Sequence, residues 1–241
     1  MQLFKILIAL AIYIPLSSFS EVILEPFKDT DEMTIRIEGE IKSNELNEFV
    51  KAYKQIKKNK QKLHLNAIQL NSPGGIMQQG KEIGWFIRRN ELNTYLAPTS
   101  KCSSSCVYIL VGGIIRLAYG RVGVHRSTPA TSLTDIDLLK DRLDLLEFST
   151  IQYFKDMGIS NQLSSAALII PNWSIRYLSE DEKWNWGVLG IEALHEELFF
   201  RRAAQKLGLT FDEYKSKFQD QLEECKAQAR AFESIFFDCV K

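Results

Sequence analysis

The feature that most constrains this chain is a junction. An apolar stretch, Leu63 to Leu70, runs without a break into Asn71-Ser72-Pro73-Gly74-Gly75, and a helical stretch, Ile76 to Arg89, begins directly behind it. Leu63, Leu65, Ile68 and Leu70 give the first part the character of a strand. A strand that hands over to a helix through a Gly-Gly turn is half of a βαβ unit. The two glycines also let the backbone present N–H groups with no side chain in the way. Such a backbone suits an oxyanion hole, and a plain strand-to-helix turn is the other meaning of Pro-Gly-Gly.

The flanking segments continue the alternation. Met33 to Gly39 alternates apolar and polar residues and reads as a strand. A helix is expected from Lys42 to Lys58, with Ser43 as N-cap and Leu46, Phe49, Val50, Tyr53 and Ile56 on one face. The lysines at its end, Lys57, Lys58 and Lys60, read as a solvated helix terminus. Asn93 to Ala97 is a short strand, Lys101 to Ser105 a polar elbow, and Cys106 to Val111 an apolar helix stopped by Gly112-Gly113. Ile114 to Tyr119 and Val122 to His125 are two more strands. Thr134 to Met157 is a long amphipathic helix, its stripe carried by Ile136, Leu139, Leu143, Leu146, Ile151 and Phe154. Trp173 to Trp186 is mixed and aromatic. From Glu192 the chain reads as helical, with a break at Gly208 and a capping box at Thr210 and Glu213.

The 241 residues suffice for one large domain or for a domain with a small appendage, and 30 basic residues balance 30 acidic ones. No basic field points to nucleic acid. Lys5 followed by the apolar run Ile6 to Leu16, broken at Pro15 and followed by Ser18-Phe19-Ser20, reads as a signal peptide cleaved between Ser20 and Glu21. The expected destination is periplasmic or secreted; a retained N-terminal membrane anchor is the alternative. Export favours disulfides among the four cysteines. Cys102 and Cys106 lie within bridging reach if the backbone turns between them. Cys225 and Cys239 would lie about 21 Å apart on one straight helix, so they pair only if the chain turns. Neither a histidine pair nor a Cys-x-x-Cys spacing suggests a metal, and no cofactor or ATP-binding motif is present.

Three histidines compete for a role as base. His64 sits between Leu63 and Leu65 in a strand, and a structural or exposed role is expected. His195 lies among Glu192, Glu196 and Glu197 and is expected to face solvent. His125 ends a strand and meets the polar Arg126-Ser127-Thr128-Pro129, where α/β sheets place their ligand crevice; it is the best candidate for a general base. The cluster Ser103-Ser104-Ser105 opens a helix. A serine there is exposed, and helix N–H groups face a developing oxyanion; the plainer reading is an N-cap cluster.

Taken in order, the Ser-Pro-Gly-Gly turn, the serine elbow, the apolar helix with Gly-Gly and the strand ending in His125 resemble the ClpP/crotonase superfamily. The nearest likeness is to the Clp proteolytic subunit and its exported relatives. The resemblance implies an α/β, ClpP/crotonase-like fold of repeated ββα/βαβ units over 21–191, after a signal peptide at 1–20, with a C-terminal helical extension at 192–241. It places the nucleophile at Ser104, nine residues before Gly113 and inside the Cys-x-Ser-x-Cys pattern of the exported relatives. That pattern also implies a Cys102–Cys106 bridge. The base falls on His125, and Gly75 and Ser105 supply the oxyanion N–H groups. Leu178-Ser179-Glu180-Asp181-Glu182 is similar to a late helix N-cap of the family, and Trp186-Gly187-Val188-Leu189-Gly190 to its following helix end and strand.

The third triad member should fall near Ile175, where no carboxylate stands; Asn172 and Ser174 are the polar substitutes. The resemblance therefore implies either an exported, ATP-independent peptidase with a Ser-His dyad or a weakly active ClpP-fold binding scaffold. Its partners would be a peptide or protein substrate and further copies of the chain as a homo-oligomer. The superfamily's coenzyme-A enzymes rely on acidic catalytic residues, and this Ser-His set does not fit them.

Overall fold

The computed structural model describes residues 21–28, 30–128, 135–218 and 220. The leader with its expected cleavage point, Thr134, Cys225 and Cys239 lie outside these residues.

Strand β1 (Glu21–Pro26) lies antiparallel on β2 (Glu32–Ile41), and β2 runs parallel to β3 (Lys62–Gly75). Helix α1 (Glu45–Lys58) makes the crossover between them. It starts later than expected: Asn44, not Ser43, occupies the N-cap, because Lys42 to Asn44 are spent in a turn whose Lys42 N–H donates to the Glu45 carboxylate. Ile35, Ile37, Ile68 and Leu70 are at most 2 % exposed, and such burial is worth about 1.5–3 kcal/mol for each side chain.

Strand β3 also departs from expectation. The Asn71–Gly75 segment does not turn; it stays extended, with Gly74 opposite Glu40 and Gly75 opposite Ile41. Two features hold it straight. The Ser72 hydroxyl donates to the Gly39 carbonyl at 2.5 Å and accepts the Gly74 N–H at 3.1 Å. A side chain at Gly75 would collide with the Ile41 backbone at 2.2 Å. The chain turns only at Ile76, and α2 (Met77–Arg89) follows.

Strand β3 is the branch point of the sheet. Its middle, Ala67 to Gln69, pairs with β4 (Asn93–Leu96), which leads to β6 (Ile115–Ala118) and β9 (Gly190–Ile191). Its far end pairs at Ser72 with β5 (Lys101–Ser103), which leads to β7 (Arg121–Val124) and β8 (Arg176–Tyr177). Helix α3 (Ser105–Gly112) rises from the end of β5 and is buried along its whole length, as expected for a helix that is apolar all round. It packs tightly on α2: a side chain at Gly80 would meet the Ser105 carbonyl at 2.4 Å.

Helix α4 (Ile136–Asp156) is capped by Asp135, whose carboxylate accepts from the Asp137 and Leu138 N–H groups. The expected stripe is only partly its buried face. Thr150, Tyr153 and Phe154 are buried, while Ile136 and Ile151 are 80 % and 39 % exposed. Only the last turns have a floor to pack on, made by α3 and by α5 (Asn161–Ile169), a helix that the sequence pattern did not reveal. The short helix α6 (Glu180–Asn185) begins with a full capping box between Ser179 and Glu182, and α7 (Ala193–Lys206) opens the C-terminal region. Thr210 and Glu213 exchange the expected capping hydrogen bonds.

Candidate active site

Strand β5 runs parallel to β7, with Ser103 opposite Gly123. Ser104 and His125 therefore leave the C-terminal ends of neighbouring parallel strands, the edge where α/β sheets carry their sites. Ser104 is the residue between β5 and α3, and its backbone is left-handed, with φ 55° and ψ −126°. For a serine this is a strained conformation, of the kind found where a nucleophile is presented on a sharp strand-to-helix turn. Its N–H donates to the Gly123 carbonyl at 3.0 Å, which ties the elbow to the strand that carries His125.

The Cys102–Cys106 disulfide spans the elbow, with 5.3 Å between Cα atoms and both residues fully buried. The Ser-Pro-Gly-Gly segment touches the elbow from the other side. A side chain at Gly74 would lie 2.6 Å from both the Ser103 carbonyl and Ser104 Cβ, and 3.0 Å from the Ser105 nitrogen. Only a glycine allows this approach. The Gly74 N–H is occupied by Ser72. Gly75 and Ser105 thus belong to two backbone segments in direct contact at the N-terminus of α3.

His125 is held through its backbone neighbour. Its Nδ1 lies 2.9 Å from the Arg126 carbonyl. Arg126 is itself anchored at the end of α5: its N–H donates to the Ile170 carbonyl at 2.8 Å and its Nε to the Leu168 carbonyl at 2.7 Å. Asn172 and Ser174 lie exposed on the loop before β8. The register of β7 and β8, with Val124 opposite Arg176, sets Ile175 beside His125; Ile175 is 41 % exposed. A carboxylate missed in the sequence, Glu147 of α4, lines a cavity of about 10 Å³ together with His125, Tyr108, Ser127 and Thr150. That is room for about one water.

Behind this wall lies Lys81 of α2, also unremarked in the sequence. Its ammonium donates to the Ser149 carbonyl at 2.9 Å and to the Ser149 hydroxyl at 3.0 Å, and it lies over the Tyr108 and Tyr153 rings. Burial lowers its pKa to about 8. Burial also raises the Tyr108 phenol, against hydrogen bonds from Thr150 and Ser127 that oppose the shift. An i+4 spacing from Ser104 to Tyr108 on a buried helix was the available signal for that residue.

The other two histidines are engaged elsewhere. His64 Nδ1 lies 2.6 Å from the Glu32 carboxylate and its ring stacks on Phe27. His195 does not simply face solvent: its Nδ1 lies 2.7 Å from Glu192, the N-cap of α7. Among the described residues, no group of three or more His, Cys, Asp or Glu side chains could hold a metal ion.

No sequence family and no curated protein matches the chain. Among solved structures, it is similar to an asparagine-to-aspartate mutant of ClpP1 from Listeria monocytogenes, with 17 % identity and a TM-score of 0.48 over 65 % of this chain and 88 % of that one. It is also similar to a serine-to-alanine mutant of 1510-N, described as a membrane-bound stomatin-specific protease, with 17 % identity and a TM-score of 0.45 over 65 % of this chain and 75 % of that one.

Proposed function

We propose that this chain is an exported, ATP-independent serine peptidase of the ClpP type, working through an acyl-enzyme. The observation that carries the reading is the left-handed Ser104 at the N-terminus of α3, pressed against Gly74. Ser104 Oγ attacks the scissile carbonyl, and His125 takes the proton and returns it to the leaving amine. The Gly75 and Ser105 N–H groups hold the oxyanion, aided by the start of α3. The Arg126 carbonyl accepts from Nδ1–H and leaves Nε2 as the base. A backbone carbonyl thus orients the ring in the place of an acid, giving a dyad.

The buried Cys102–Cys106 bridge supports export to an oxidising compartment. No helix among the described residues is long and apolar enough to cross a membrane. Self-association belongs to the same reading: Leu138, Leu145 and Phe148 are exposed along the outer side of α4, a face that a second copy would cover.

A fluorogenic peptide panel tests the activity. Ser104→Ala and His125→Ala should each lower kcat by about four orders of magnitude, with the fold intact. Turnover that survives both substitutions places the chemistry elsewhere. Ile175, standing where an acid is expected, favours the second reading of a peptide-binding scaffold. Peptide binding with no turnover in the unmodified chain would establish that reading.

A further inference from the structure

The opposite end of the sheet carries a second cleft. Where β2 and β3 begin, their register slips: Met33 pairs with Leu63, but Ile35 pairs with Ile68. The extra residues of β3 bulge outward, with Leu65 and Asn66 in left-handed conformations at φ 52° and 49°. The bulge is fixed by two side chains: Asn93 Nδ2 donates to the Leu65 carbonyl and Asn66 Nδ2 to the Glu91 carbonyl. Beside it open two cavities of about 610 and 590 Å³ that share Glu32, Gln61 and Lys62. Each lies in the size range of ligand pockets. Side by side they suit an extended chain better than a compact metabolite. Strand β4 begins to pair with β3 only at Ala67, so the edge of β3 along this cleft lies beyond β4.

The lining has a clear chemical bias. Leu63, half-buried, and Leu65, 39 % exposed, give an apolar wall in front of the buried Tyr53 and Ile56. Lys57, Lys60 and Lys62 bring three exposed ammonium groups. Against them stand Asp31 and Glu32, and Glu32 is engaged by His64. The lysines that sequence alone makes a solvated helix end are therefore the rim of a cleft. We propose that this cleft is an exosite for an extended acidic peptide segment whose apolar side chains lie against Leu63 and Leu65 while its carboxylates meet Lys57, Lys60 and Lys62. Charge complementarity and apolar burial both select that ligand over a basic or a purely polar chain. The site lies at the other end of β3 from Ser104 and operates whether or not Ser104 is a nucleophile.

Fluorescence anisotropy on the Ser104→Ala chain tests this without turnover. Three fluorescein-labelled hexapeptides serve as probes: alternating aspartate and leucine, alternating lysine and leucine, and alternating aspartate and serine. The aspartate–leucine peptide should bind at least tenfold more tightly than either other peptide. Lys57→Glu combined with Lys62→Glu should weaken it at least tenfold; both side chains are exposed, and circular dichroism should show that the variant stays folded. Equal binding of the three peptides, or affinity untouched by the double charge reversal in a folded protein, would overturn the exosite.

Discussion

The two ends of helix α3 are built in opposite ways. At its C-terminal end the carbonyls meet strong donors. Arg88 donates to the Val111 and Gly112 carbonyls at 3.2 and 3.1 Å, Arg116 Nε to Gly113 at 3.0 Å, and Thr94 to Leu110 at 2.7 Å. Both guanidinium groups also reach the Met157 carbonyl, and Arg116 reaches that of Gly187. The Glu192 carboxylate faces them, 3.6 Å from Arg88. Burial lowers the Arg116 pKa to about 9, with Arg88 acting in the same direction and Glu192 opposing.

The N-terminal end is the reverse. Ser104 is left-handed, and the buried hydroxyls of Ser103 and Ser105 have no hydrogen-bond partner among the described residues. The contrast teaches where strain can be kept. A helix fixed firmly at one end can hold an unfavourable backbone and unsatisfied polar groups at the other.

The largest effect should come from dismantling the anchor. Arg116→Met removes the donors to three carbonyls and should lower stability by about 3–5 kcal/mol in urea titrations. A loss below about 1 kcal/mol would show that the C-terminal end is not the anchor. Next in size is Gly74→Ala, whose methyl meets the Ser103 carbonyl and Ser104 Cβ at 2.6 Å. It should destabilise by about 2–4 kcal/mol and disturb the elbow, visible as lost activity in whatever protein remains folded.

Lys81 lies between the two ends, against Tyr108, and should act with the opposite sign. Its folded pKa of about 8 lies below the ordinary 10.5, so folding works against its charged form. Below pH 8 both states hold the proton and the penalty is fully present. As pH rises from 8 to 10.5 the unfolded chain binds more protons than the folded one, and stability rises. Lys81→Met should therefore gain about 1 kcal/mol near pH 7, and the gain should shrink across that window in thermal melts. The smallest effect is expected at the elbow itself. Ser104→Gly relieves the left-handed backbone and should stabilise by about 0.5–1 kcal/mol while abolishing turnover. A destabilised Ser104→Gly would mean that the elbow is not strained.

This asymmetry also explains what could be read from the sequence. The elbow was legible because its devices are local: a serine between two bridging cysteines, a Gly-Gly pair, a strand that ends in His125. The anchor was not. Arg88 and Arg116 stand beside expected helix ends, but nothing around them shows which carbonyls they satisfy, since these come from residues up to 71 positions away. The path of Asn71–Gly75 was misread because its straightness depends on Gly39 and Ile41 across the sheet. The sequence allows a backbone carbonyl or Asn172 as the ring partner of His125; that it is the Arg126 carbonyl depends on where α5 ends. Helix α4 shows the same limit: its apolar pattern is wider than the floor it packs on, so periodicity alone could not tell Phe154 from the exposed Ile136.

The most direct measurement is mass-spectrometric mapping of a fluorophosphonate adduct. The adduct is expected on Ser104, absent in Ser104→Ala, and formed at least a hundredfold more slowly in His125→Ala. An adduct on Ser103 or Ser105, or labelling equally fast without His125, would contradict the strained Ser104 elbow as the centre of the chemistry.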